Sequence, residues 1–363
     1  MAKARSAPDF LLIFSTLSIL SIGILMVYSA SAILSYHKYD DYFFFAKRQL
    51  LFAGLGLILM YAVMNIDYWV WKRWAKIGLL MCFALLVLVL IIGVERNGSK
   101  SWLGVGAFSV QPSEFIKICM IIFLAKFLSE HQKKIVEFRR GIVPPLFIVF
   151  LAFGLIMLQP DLGTGTVMVG TSIVMIFIAG ARLLHLAGLA MLGLIGFAAL
   201  VIAAPYRIAR ITAFLDPWQD PLGAGFQVIQ SLYAIGPGGL LGLGLGMSRQ
   251  KFYYLPEPQT DFIFAILAEE LGFIGGTTVL LLFTLLLWRG MKVAITAPDL
   301  YGSLLAAGIV SMIAIQVIIN IGVVTGMFPV TGITLPFLSY GGSSLTLMLI
   351  AVGILLNISR YAR

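Results

Sequence analysis

One stretch of this chain combines the residue types of an acid–base centre with the surroundings of a membrane. Phe252–Gly276 reads FYYLPEPQTDFIFAILAEELGFIGG. It passes from aromatics and two prolines through one aspartate, Asp261, straight into an apolar run. A carboxylate at such an entrance is costly unless it has a partner or a task. Held partly out of water, it can take a proton from a weak nucleophile such as a hydroxyl. Asp261 is the candidate catalytic residue; the plainer alternative is a helix N-cap, since Thr260-Asp261 opens the run. Glu269 and Glu270 follow about two turns further on, and three acids there predict that this helix faces a wet, polar cavity.

Other ionisable residues stand where a bilayer disfavours them. Glu114 and Lys117 lie three apart at the start of an apolar run that opens with Pro112, so they share a face and can neutralise each other. They are either cavity residues or a structural ion pair. Asp161, in Gln159-Pro160-Asp161-Leu162-Gly163, either lines the same cavity or caps the next helix. Arg207 and Arg210, Arg249 and Lys251, and Arg48 are cations placed to meet a phosphate, for which arginine is well suited. Each could instead be an interfacial anchor, Arg48 above all.

Several chemistries find no support. Cys82 and Cys119 lie inside apolar runs, neither CxxC nor HExxH occurs, and His37, His131 and His185 are scattered. The glycines from Gly236 to Gly246 lack the GK[ST] of a phosphate-binding loop, so no nucleotide is implied. Ser339-Tyr340-Gly341-Gly342-Ser343-Ser344 reads as close helix packing through small residues.

These residues must be positioned by membrane helices. The 363 residues are 60% hydrophobic and only 11% charged, against about 25% charged in a soluble domain, and mean hydropathy is +1.01. With about 20 apolar residues needed per crossing, about ten spans emerge: 10–34, 49–65, 77–94, 112–128, 142–159, 163–181, 186–204, 262–288, 301–324 and 339–358. The expected fold is therefore an all-α integral membrane protein, a single polytopic domain over 1–363. The first run resembles a signal peptide but is longer than the roughly 7–15 residues of a signal core, and reads as an uncleaved helix. The net charge of +9 sits in short clusters between spans, which fits membrane anchoring and not nucleic acid. With the N-terminus inside, the short outer loops hold only Lys38, Lys47, Arg48, Arg96 and Lys100, so both termini are expected in the cytoplasm. Residues 204–262 then form one large extracytoplasmic loop. Leu222–Ile235 in it has helical spacing and predicts a short helix at the outer interface.

The motifs in order are Asn97-Gly98 with Ser101-Trp102-Leu103, QPSEFIKI at 111–118, QPDLGT at 159–164, FLDPWQDPLGAGFQVIQSLYAIGPGG at 214–239, SRQKFYYLPEPQTDFIFAILAEELGFIGG at 248–276 and LPFLSYGGSS at 335–344. Across nearly the whole chain they resemble the SEDS family (shape, elongation, division and sporulation), and most closely its division and sporulation branch. The rod-elongation branch tends to carry histidine where this chain has Gln259. The resemblance implies a ten-span enzyme of the bacterial cytoplasmic membrane that polymerises lipid II into glycan strands. It implies a class B penicillin-binding protein as transpeptidase partner and a divalent cation, Mg2+ or Mn2+. It also implies that Asp261 is catalytic, and it maps the family's intramembrane polar positions to Glu114, Lys117 and Asp161 and its outer arginine to Arg48. On that footing Asp261 is the base for glycosyl transfer at the outer face, with Arg210, Lys251 or the cation opposite the leaving pyrophosphate. A lipid II flippase, with polar groups lining both leaflets, and a non-catalytic scaffold, in which Asp261 is dispensable, are the alternatives.

Overall fold

The computed structural model describes residues 6–96, 99–105, 108–202 and 205–362. Asn97-Gly98 of the sequence motifs lie outside them. Twelve α-helices run in order: α1 (Phe10–Tyr39), α2 (Phe44–Met64), α3 (Tyr68–Ile92), α4 (Pro112–Glu130), α5 (Val143–Met157), α6 (Leu162–Ile178), α7 (Leu183–Ile202), α8 (Pro205–Leu215), α9 (Phe226–Ile235), α10 (Ile263–Thr296), α11 (Leu300–Val324) and α12 (Gly342–Ser359). Seven of the segments, those of α1, α2, α3, α5, α10, α11 and α12, are long and apolar enough to cross a bilayer. The helices α4, α6 and α7 complete the ten expected spans: α4 carries Glu114, Lys117, Lys126 and Glu130, α6 has 17 residues, and the apolar part of α7 is Leu183–Gly196.

The helices sort into a centre and a rim. The apolar windows of α11 and α12 are 72% and 78% buried, those of α2 and α3 only 22% and 28%. Leu183, Leu184, Met191 and Leu192 of α7, and Leu80, Met81 and Ile91 of α3, face outward, an apolar surface that suits lipid. Polar side chains tie the centre together. Asn357 of α12 donates to the Met64 carbonyl at 2.8 Å and accepts from Tyr68 N–H at 2.9 Å, fixing the α2–α3 turn.

Both termini lie at one end, as an even number of crossings requires. Ser6 N–H donates to the Arg360 carbonyl at 2.9 Å. Asp9 caps α1 and pairs with Arg289 far along α10. At this end Tyr361 donates to Asp67, and Tyr68 to Asp299.

Three elements depart from the sequence expectation. Between α3 and α4 lies an antiparallel sheet, β1 (Val94–Arg96), β2 (Ser99–Val105) and β3 (Phe108–Val110), in the order β1-β2-β3. Lys100 on β2 reaches back to the carbonyls of Leu90 and Ile91 at 3.1 Å each, satisfying acceptors left open at the end of α3. In the long loop, the helix expected over 222–235 begins only at Phe226, because Asp220 holds Leu222–Gly225 in a turn through Ala224 N–H at 2.9 Å. The helix packs inward, with Ser231 donating to the Val324 carbonyl at 2.7 Å, and α8 is an additional helix before it.

The third departure matters most. The expected single span 262–288 is broken at Gly272, whose φ of 64 and ψ of −162 interrupt α10. A Cβ there would come within 2.3 Å of the Gly242 nitrogen and 2.7 Å of the Leu240 carbonyl group. The glycine-rich loop supplies partners for the backbone groups the break sets free: Leu243 and Gly244 N–H donate to the Glu269 and Glu270 carbonyls at 2.9 and 3.0 Å, and Phe273 and Ile274 N–H donate to the Gly239 and Leu240 carbonyls at 2.8 and 3.2 Å. Buried backbone groups need such partners because water does not reach them. Replacing Gly272 with alanine should destabilise the protein by at least about 1–3 kcal/mol from backbone strain alone, read as a lower unfolding midpoint in detergent; an unchanged midpoint would mean that the break relaxes freely.

Candidate functional site

Asp261 stands on the last turn before the short first segment of α10, residues 263–271, whose side chains from Ile263 to Glu270 are all buried. The aspartate itself is half-buried. Its main chain is held from two directions. Asn320 of α11 donates through Nδ2 to the Asp261 carbonyl at 2.8 Å and to the Ile333 carbonyl at 2.7 Å. Ser339 donates to the Thr260 carbonyl at 2.6 Å, and Tyr340 N–H to the Gln259 carbonyl at 2.9 Å. Gln49 of α2 fixes that second support, donating to the Ser339 carbonyl at 3.1 Å. The Ser339–Ser344 motif, expected only to pack helices, therefore also fixes the residues just before Asp261.

The expected polar groups of α4 and α6 meet at this same end. Lys117 Nζ lies 2.8 Å from Glu114 Oε1, with both side chains buried. Asp161 caps α6 through Thr164 N–H at 3.0 Å, and its other oxygen accepts from Gln111 at 3.0 Å and Ser113 at 3.2 Å, at the start of α4. The first turn of α6 lies against the segment that touches Asp261. A Cβ at Gly163 would stand 2.7 Å from the Thr331 carbonyl oxygen, and one at Gly332 would stand 3.7 Å from Asp261 Oδ2. Thr331–Ile333 thus lies between α6 and the aspartate.

The two glutamates beyond Asp261 are placed otherwise than expected. Glu269 and Glu270 are 1% and 0% exposed and do not face a wet cavity. Glu269 accepts from Ser248 Oγ and from Arg249 N–H at 2.9 Å. Glu270 accepts from Ser29 Oγ at 2.7 Å, Ser248 N–H at 3.2 Å and Lys251 Nζ at 3.0 Å. Lys251 also donates to the Gly246 carbonyl at 2.6 Å, so its ammonium is occupied inside the protein. The break at Gly272 brings these carboxylates back onto the loop and buries them where charge needs partners. Arg249 is exposed. Arg48 is half-buried, 5.2 Å from the centre of the Phe44 ring, and its Nε has no hydrogen-bond partner among the described residues. The side chains of Arg207 and Arg210 lie outside the described ones.

A cleft of about 430 Å³ is lined by Ala213, Phe214, Phe226, Val228, Pro256 and Val330 among others, and none of the candidate site residues is among them. Pro256 belongs to the segment that leads to Asp261, and Val330 to the segment that lies against it. Among the described residues no three His, Cys, Asp or Glu side chains gather as a metal cage.

Sequence reasoning looked for charges and missed Gln49 and Asn320. The available signal was an uncharged amide within an apolar run, which carries the same demand for a partner in a membrane.

Residues 10–363 match the FtsW/RodA/SpoVE family of cell cycle proteins, and the chain belongs to that family of multi-pass membrane proteins. It is 70% identical, over the full length of both chains, to stage V sporulation protein E of Bacillus subtilis (strain 168). It is 44% identical to the probable peptidoglycan glycosyltransferase FtsW of Geobacter sp. (strain M18), covering 98% of this chain and 97% of that one. Among solved structures, a chain described under "Structural coordination of polymerization and crosslinking by a peptidoglycan synthase complex" superposes with a TM-score of 0.81 at 33% identity, covering 98% of each. The rod shape determining protein RodA of Thermus thermophilus gives 0.73 at 30% identity, covering 98% of this chain and 97% of that one.

Removing one partner of the buried Lys251–Glu270 pair, by Lys251→Met or Glu270→Gln, should cost about 3–5 kcal/mol of stability. The double variant should lose less than the sum of the two, as measured by unfolding in detergent; simple additivity would show that the two charges act independently.

Proposed function

We propose that this chain is a peptidoglycan glycosyltransferase that polymerises lipid II at the outer face of the bacterial cytoplasmic membrane, with Asp261 as its general base. The observation that carries the reading is the placement of Asp261: a half-buried carboxylate whose backbone is fixed by α11 and by the segment before α12. The termini and their ion pairs occupy the opposite end of the bundle, which fits a cytoplasmic location for both and an extracytoplasmic one for Asp261. The FtsW relatives named for this activity support the same reaction.

In the reaction the 4-hydroxyl of the acceptor sugar attacks the anomeric carbon of the donor. The new C–O bond forms as the bond to undecaprenyl pyrophosphate breaks. Asp261 accepts the hydroxyl proton, and its fixed backbone keeps the carboxylate within hydrogen-bond reach of that hydroxyl. Arg48, Arg207 and Arg210 keep from the sequence their assignment as candidates for the diphosphate. Lys251 is engaged with Glu270 and is better understood as holding the loop. Asp261 together with the substrate's own diphosphate would hold a Mg2+ or Mn2+ ion, which when bound supplies charge neutralisation to the leaving group. A class B penicillin-binding protein is the partner that would cross-link the strands, in keeping with the synthase complex whose chain this one resembles. The flippase reading calls for polar groups lining both leaflets, whereas Asp161, Glu114 and Asp261 gather at one end.

Asp261→Asn should lower polymer formation by about 10²–10⁴-fold, the usual contribution of a general base, with expression and unfolding midpoint unchanged. The check is a gel of fluorescent lipid II incubated with purified protein and Mg2+ or Mn2+. Full polymerisation by that variant alone would refute the assignment.

A further inference from the structure

The interface of α4, α6 and α11 buries more polar atoms than its own hydrogen bonds satisfy. Glu114 Oε2, Thr171 Oγ1, Gln316 Nε2 and Asn320 Oδ1 have no partner among the described residues, and their side chains belong to residues 7%, 2%, 1% and 1% exposed. An unsatisfied buried polar atom costs about 1–3 kcal/mol, so four of them in one interface point to a ligand.

Their levels in the bundle agree. A Cβ at Gly308 of α11 would meet Ile121 of α4 and Met175 of α6, both at 2.7 Å, so the three helices touch there. Lys117 and Thr171 lie four residues from Ile121 and Met175, hence one turn nearer the Asp261 end on the same faces. Gly170, next to Thr171, lies against Ile315, next to Gln316, with a Cβ 3.3 Å from its Cδ1. Asn320 is one turn beyond Gln316 and bonds to the Asp261 carbonyl.

The set mixes acceptors, Glu114 Oε2 and Asn320 Oδ1, with a donor, Gln316 Nε2, and a hydroxyl that can do either. The Lys117 ammonium beside them disfavours a cation, and the carboxylate disfavours an anion. Water meets both demands, and one buried water makes about three such bonds. We propose that ordered water occupies this three-helix interface and couples the Glu114–Lys117 pair to Asn320, making Thr171 and Gln316 positioning residues for Asp261. The coupling to catalysis rests on the reading of Asp261 as the base; the hydration does not.

The test compares substitutions that preserve volume with ones that preserve polarity, in the full-length protein. Gln316→Met and Thr171→Val keep the shape and remove the hydrogen bonding; Gln316→Ser and Thr171→Ser leave room for a further water. Lost coupling should lower kcat about tenfold in the first two, with KM within about twofold, while the serine variants stay within about twofold of the parent in kcat. The unfolding midpoints should follow the same order. A dry, packed interface predicts the reverse, with the volume-preserving swaps tolerated and the serines defective; that order, or no difference among the four, overturns the proposal. Radiolytic hydroxyl labelling of the unmodified protein, which marks side chains beside bound water, decides hydration without reference to activity. Met168 and Met175, on either side of Thr171, should be oxidised faster than the equally buried Met26 and Met348; equal rates overturn it.

Discussion

A buried helix that breaks must find partners for the backbone groups it releases, and much of this structure follows from how that demand is met at Gly272. The glycine-rich loop answers on both sides of the break, accepting from Phe273 and Ile274 and donating to the Glu269 and Glu270 carbonyls. The glutamate side chains then turn back onto residues 248–251, so loop and break form one clamp. The gain is positional. The nine residues before the break become a short buried helix with Asp261 at its outer end, set by contacts on every side rather than by the direction of a long span.

The same economy governs the other charged groups. Glu114 and Lys117 neutralise each other, Asp161 spends one oxygen on the α6 N-terminus and the other on α4, and Asp9 and Arg289 close the far end. Asp261 differs in being half-exposed while its carbonyl and those of Gln259 and Thr260 before it are held by Asn320, Tyr340 and Ser339. A carboxylate whose backbone is anchored in this way is held from wandering, which is what proton transfer at a defined distance requires.

Hydropathy made the spans legible because a bilayer leaves so little choice, and Pro112 sits where composition placed a helix start. The charged positions were legible for the same reason. The break was not: Gly272 within LGFIGG resembles any packing glycine, and only the passage of Leu240–Gly242 against it makes a positive φ necessary. The roles of Glu269 and Glu270 were misjudged in consequence, since a continuous helix would have left them facing a cavity. The sheet over 94–110 escaped notice because its strands are short and pair only locally. Asn320 and Gln49 were overlooked because an amide carries no charge to draw attention, although its need for a partner in lipid is of the same kind.

The central claim is that Asp261 meets the sugar of a membrane-anchored substrate. A structure of the full-length protein with a lipid-linked disaccharide bound tests it most directly. The account predicts the acceptor hydroxyl within about 3.2 Å of an Asp261 carboxylate oxygen, with the lipid-linked part entering by the cleft between Pro256 and Val330. Sugars seated elsewhere, with the carboxylate turned away from them, would contradict it.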